Sequence, residues 1–165
     1  MSDPVIPVIA DAGPIISFAR VGSLELLRQV IPRIILPPEV FREVALDEPT
    51  RPGAQEISSG QWGELYTGGI DPAITQQLPI SLHKGEREAV ALALQLNRPC
   101  LADEKRVVQT ARAMGLTVVT SLRVLITAKQ LGLIPSIRSA LDDMRAASFR
   151  ISGKLYDEVL RLAGE

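Results

Sequence analysis

The chain has 165 residues, 46% of them apolar and only 4% aromatic, with a formal charge of −1 at neutral pH. That length and apolar content fit one compact domain whose core is built from aliphatic helix faces on aliphatic strands, which points to an α/β layer fold. The near-zero charge excludes a global positive field for nonspecific nucleic-acid binding, so such a partner would have to meet a local basic patch.

The opening MSDPVIPVIADAG lacks the basic n-region and long apolar run of a signal peptide. Nowhere do about 18 apolar residues follow one another, so a soluble, cytoplasmic protein is expected. Val5 to Ala10 reads as a buried strand stopped at Asp11-Ala12-Gly13-Pro14. Helical spacing follows from Pro14 to Val30, with a break at Gly22, and Ile34-Ile35-Leu36 gives a second strand. Pro37 and Pro38 open a helix over Glu39 to Leu46. The mixed stretch 47–63 predicts a loop, with a short helix near Gln61 to Leu65.

From there the alternation is regular: helix Gly85 to Asn97, strand Cys100 to Ala102, helix Glu104 to Met114, strand Leu116 to Val119. Cys100, the one cysteine, cannot form an internal disulfide and reads as an inert core thiol. Three further helices are expected around Leu122 to Leu131, Ile137 to Ala147 and Lys154 to Ala163. Helices between short aliphatic strands imply a mostly parallel sheet, with its ligand site beyond the carboxyl ends of the strands. No repeat or second domain is visible, so residues 1–165 are read as one unit.

Two strands end directly in aspartate, Asp11 and Asp103, and both belong at that edge. Each also precedes a helix, where Asp commonly serves as an N-cap. Glu86 falls on the apolar stripe of Ala89, Val90, Ala93 and Leu94 and should point inward, unlike Glu88; the alternative is an acid favoured by the helix dipole. Glu43 borders the face of Val40, Phe41 and Val44, and alone would be read as surface, with Arg42 opposite. Four acids at one edge repel one another unless a cation neutralises them or protons stay bound. An all-oxygen donor set suits Mg²⁺ or Mn²⁺, ions that favour phosphodiester hydrolysis without a protein nucleophile.

In order along the chain stand DAGPIISFARVGSLELL, LPPEVFREV, HKGEREAVALALQL, LADEKRVVQTARAMGLTVVTSLRVLITAKQLGLI and a closing LAGE. Together they resemble a PIN-domain ribonuclease, of the VapC-like free-standing prokaryotic kind, over nearly the whole chain. The resemblance implies a three-layer fold with a five-stranded, mostly parallel sheet between helices. It also implies Asp11, Glu43, Glu86 and Asp103 as catalytic acids binding Mg²⁺ or Mn²⁺ for single-strand RNA cleavage. Glu104 stands where similar sequences often have a second Asp, and is carried over as an outer or second-metal ligand. The chain departs from the commoner pattern in having Leu101 where a hydroxyl residue precedes the strand-end Asp. Ser121 could supply that hydroxyl to a ligand carboxylate or the phosphate, its ordinary role being a helix N-cap.

Lys84, Arg87, Lys105 and Arg106 lie beside the acids in sequence and are expected to hold RNA near the metal, against the ordinary reading as solvated surface. His83, a lone imidazole before a helix, is read as a loop residue. No P-loop, GxGxxG or GxSxG motif occurs. A receiver domain also places acids at strand ends, but it needs an acid pair after the first strand, where only Asp11 stands. Two further alternatives are a degenerate PIN fold that binds RNA or a protein without cutting, and a housekeeping RNA-processing nuclease. Similar free-standing domains are commonly toxins, inhibited by a small antitoxin protein and often homodimeric, which by analogy is the expected role.

Overall fold

The computed structural model of the protein describes residues 4–165; the first three residues of the amino-terminal reading lie outside it. Its centre is a five-stranded sheet in the order β3-β2-β1-β4-β5, with every pair parallel. The strands are β1 (Val8–Ala10), β2 (Ile34–Leu36), β3 (Glu64–Leu65), β4 (Cys100–Leu101) and β5 (Val118–Val119). β1, β2 and β4 are aliphatic and largely buried because helices cover them, as a parallel sheet requires. Ile9 faces Ile35 on one neighbour and Cys100 on the other.

The first strand is shorter than its apolar run. Pro4 and Pro7 lack the N–H that a ladder needs, and Val5 and Ile6 are left exposed. The expected helix at Gln61 to Leu65 is also corrected. The helix there is α4 (Ala54–Ser58), while Glu64 and Leu65 form the exposed edge strand beside β2. Gly60 and Gly63 adopt positive φ and break helical continuity, and Trp62 is pinned by its indole N–H, which donates to the Ile31 carbonyl.

Helix α1 (Ala12–Arg20) and helix α2 (Leu24–Val30) divide at Gly22, whose φ is +68°. The next helix is a composite: one α-turn, α3 (Pro38–Phe41), runs directly into a π-helical turn over Arg42–Leu46. The short α5 (Pro72–Thr75), capped by Asp71, was not legible in the sequence. Helix α6 (Lys84–Leu96) packs on β1, β4 and α3, and Asn97 ends it in the left-handed region. The chain then adds α7 (Lys105–Ala113), α8 (Ser121–Gln130), α9 (Ile137–Ala146) and α10 (Gly153–Leu162). The terminal Glu165 carboxylate ties α10 back to Lys129, Ser136 and the Ile137 amide.

Candidate active site

The strand order reverses between β1 and β4: from β1 the chain works outward through β2 and β3, then crosses back to β4. Beyond the carboxyl ends of those two strands, flanking chains diverge and leave a crevice. Asp11 and Asp103 stand there, with the Asp11 N–H donating to the Leu101 carbonyl. The crevice is a cleft of about 460 Å³, and Asp11, Glu43, Glu86, Asp103 and Glu104 all line it.

Each acid arrives by a different local route. Asp11 occupies the N-cap position of α1, yet its side chain makes no capping bond within the helix and is only 6% exposed. Asp103 lies one residue before the N-cap of α7, and its carboxylate accepts from both the amide and the hydroxyl of buried Ser121. Glu43 sits on the π-turn, where one wide turn re-aims side chains relative to an α-helix. Its carboxylate rests over Gly85: a Cβ added there would meet Glu43 Oε1 at 2.6 Å. Glu86, in the first turn of α6, faces the cleft and also accepts from the His83 N–H, so its two readings coexist.

The electrostatics of the cleft are lopsided. Burial pushes Asp11 up to about 7 from an ordinary 3.8, and the charges of Glu86, Glu43 and Asp103 push the same way against the neighbouring Ala12 N–H. Burial also raises Glu43, with Glu39 and Glu86 adding to it and Arg42 opposing. Asp103 is raised by burial, although its bonds from Ser121 work in the opposite direction. None of the four acids forms an ion pair among the described residues. Such a set lacks positive charge, which a hard divalent ion would supply.

Among the described residues, no three Asp, Glu, His or Cys side chains are arranged to hold a metal by themselves. Glu86 is engaged with the His83 amide and Asp103 with Ser121. Mg²⁺-like ions keep several waters and need only one or two direct carboxylates, so the oxygen donor set fits such an ion without a closed cage.

Several expectations change. The N-cap of α8 is Thr120, which accepts from the Arg123 N–H, so Ser121 is not a cap and is free to bond Asp103. Glu104 takes the N-cap position of α7 without a capping bond and stays exposed on the rim of the cleft. Arg106 donates to the Ser81 carbonyl, Lys84 pairs with Glu39, and Lys84 and Arg87 line a separate hollow with Glu88 rather than the acid cleft. Glu88 is half-buried rather than outward: it accepts from the Glu39 N–H and caps α3, a role that depends on the α3–α6 packing. Cys100 is buried in β4, its thiol pushed up to about 12, and is unsuited to reaction. His83, read from the sequence as a loop residue, lines the cleft as the N-cap of α6, and Ser17 reaches it from α1. Phe149 and Arg150 also line it and had no signal in the sequence, because they enter from a segment distant from the acids.

An all-parallel α/β domain with a carboxylate-lined cleft at its switch point is the class that this arrangement defines. A PIN domain family model matches residues 7–165, and the chain belongs to the PIN domain family. PIN domains are generally nucleases that use divalent metal ions. Among solved structures the chain is similar to a PilT N-terminus domain protein from the hyperthermophilic archaeon Sulfolobus solfataricus. The two share 13% identity with a TM-score of 0.53, over 74% of this chain and 93% of that one, a likeness of fold alone. No curated protein matches the chain. Among the described residues no helix is long and apolar enough to cross a membrane.

Proposed function

We propose that this protein is a divalent-metal-dependent endoribonuclease that hydrolyses phosphodiester bonds of single-stranded RNA, with Asp11, Glu43, Glu86 and Asp103 as the acids that hold Mg²⁺ or Mn²⁺. The observation that carries the reading is the convergence of those four acids on one cleft without a cation partner among the described residues. A bound divalent ion supplies Lewis acidity toward water and neutralises charge on the phosphate and the leaving oxygen. Asp11, at the floor of the cleft, is the main anchor. Ser121 keeps the Asp103 carboxylate oriented through two donated bonds, and Gly85 leaves the space that the Glu43 carboxylate occupies. Glu104 on the rim is assigned as an outer or second-metal ligand.

The test is cleavage of a labelled single-stranded RNA in Mn²⁺ and in EDTA. Metal-dependent cleavage that Asp11→Asn abolishes while the far-UV circular dichroism is unchanged is the expected result. A variant as active as the parent refutes the assignment. The resemblance to free-standing VapC-like domains extends the proposal to the toxin of a toxin–antitoxin pair, acting as a homodimer in the cytoplasm with a small antitoxin over the cleft. Growth arrest on expression, relieved by a protein encoded beside it, separates that role from housekeeping RNA processing.

A further inference from the structure

Beside the acid cleft lies a second groove, of about 680 Å³. The two share a wall: Asp103, Glu104, Phe149 and Arg150 line both. One face of α7 forms the floor of the second groove, since Lys105, Val108, Gln109 and Arg112 follow the i, i+3, i+4, i+7 spacing of a helix stripe. Lys105, Arg112 and Arg150 are exposed, and none of them is in an ion pair among the described residues. Phe149 is half-buried, and the αL residue before it, Ser148 at φ +74°, aims it. The Phe149 N–H donates to the Met144 carbonyl in a helix-terminating turn, a position where glycine is the usual residue.

We propose that this groove is the track for the single-stranded RNA on one side of the scissile phosphate, with Phe149 as a base-stacking platform and Arg150, Lys105 and Arg112 as successive phosphate contacts. The proposal rests on the nuclease reading for the position of the scissile phosphate. Two observations fix the occupant. Charge changes sign along one continuous depression, from uncompensated carboxylates to unpaired cations, as a polyanion needs if metal ions neutralise it at one point and side chains neutralise it beyond. The aromatic ring lies at the junction, where a base of a single strand can stack and a paired base cannot. The apolar members of the groove, Leu122 and Leu155 among them, would also suit a protein segment, but the run from metal-binding acids to three unpaired cations past an aromatic ring favours a single-stranded polyanion.

The experiment is fluorescence anisotropy of a fluorescein-labelled single-stranded decauridylate with the full chain in EDTA, where no cleavage occurs, over a salt series. Arg112→Ala and Lys105→Ala should each weaken binding severalfold and reduce the salt slope by about 0.7. Phe149→Ala should weaken it about tenfold, Phe149→Leu should remain weak despite filling the same core space, and Phe149→Trp should restore it. Arg33→Ala, at the Glu64 edge of the sheet, should change nothing. Groove variants that bind like Arg33→Ala, an absence of saturable binding, or a groove covered by a second copy of the chain in solution would overturn the proposal. Mn²⁺-dependent cleavage with unaltered binding by the groove variants sinks the track and spares the nuclease reading. Saturable binding lost in the groove variants, with no cleavage in any metal, does the reverse.

Discussion

Gly85→Ala separates the stability of this protein from its proposed chemistry. Gly85 has ordinary helical backbone geometry in the first turn of α6, so conformation alone does not call for glycine. Alanine there should gain up to about 1 kcal/mol of helix stability, worth about 2–4 °C in Tm for a chain of this size. Its Cβ would lie 2.6 Å from Glu43 Oε1, about 0.8 Å short of the 3.4 Å where ordinary contact begins, and 3.3 Å from Cδ. The Glu43 backbone is held in the π-turn, where Arg51 donates to its carbonyl, so the flexible carboxylate is what moves. A displacement approaching 1 Å of a group that orients reactants costs up to about a hundredfold in rate. Gly85→Ala should therefore melt at or above the parent temperature while Mn²⁺ affinity, by titration calorimetry, and kcat/KM fall about ten- to a hundredfold. Glu43→Asp withdraws the carboxylate by one methylene, so the double variant should lose less than the two single losses combined. Unchanged metal binding and activity in Gly85→Ala, or strict additivity in the double variant, would refute the reasoning.

Asp11 makes the metal-free protein pH-sensitive in an unusual direction. Its folded pKa of about 7 exceeds its ordinary 3.8, so the folded state keeps a proton that the unfolded chain releases, and stability falls as pH rises through that window. In EDTA the Tm should be lower at pH 8 than at pH 5.5, Mn²⁺ should raise it more at pH 8, and Asp11→Asn should flatten the profile; a parent Tm in EDTA that climbs between those pH values contradicts this. Ser121→Ala removes one of two bonds to Asp103 and should reduce activity about tenfold or more, with Ser121→Thr retaining most of it; equal activity in both variants would show that Asp103 needs no such support. Glu165→Gln should lower Tm by about 2–4 °C, because the carboxylate gathers Ser136, Lys129 and the Ile137 amide. Those partners hold Glu165 down to about 2 from 4.5, so its contribution is present above pH 4.5 and fades as pH falls toward 2; a gap between variant and parent that persists at pH 2 argues against it.

The alternation of aliphatic strands and amphipathic helices was legible in the sequence, because the two backbone periods of 2 and 3.6 are local properties. So were the strand-end aspartates, since a buried run that stops at an acid marks the carboxyl edge of a parallel sheet. The resemblance carried the set of acids further, naming Glu43, which its own short helix left on the surface. Tertiary structure decided what local pattern cannot contain. The strand order that opens the crevice between β1 and β4, the π-turn that aims Glu43, and the bare Cα of Gly85 beneath its carboxylate all depend on long-range packing. The same holds for Ser121: its sequence neighbourhood reads as a cap, and only the approach of α8 to the end of β4 turns its hydroxyl toward Asp103. Phe149 and Arg150 belong to this group as well, since a left-handed serine at the end of α9 returns them to a cleft whose acids lie far earlier in the chain. Periodicity specifies which face of an element is buried; which side chains then meet is fixed by how the faces dock, and docking energy is summed over the whole core.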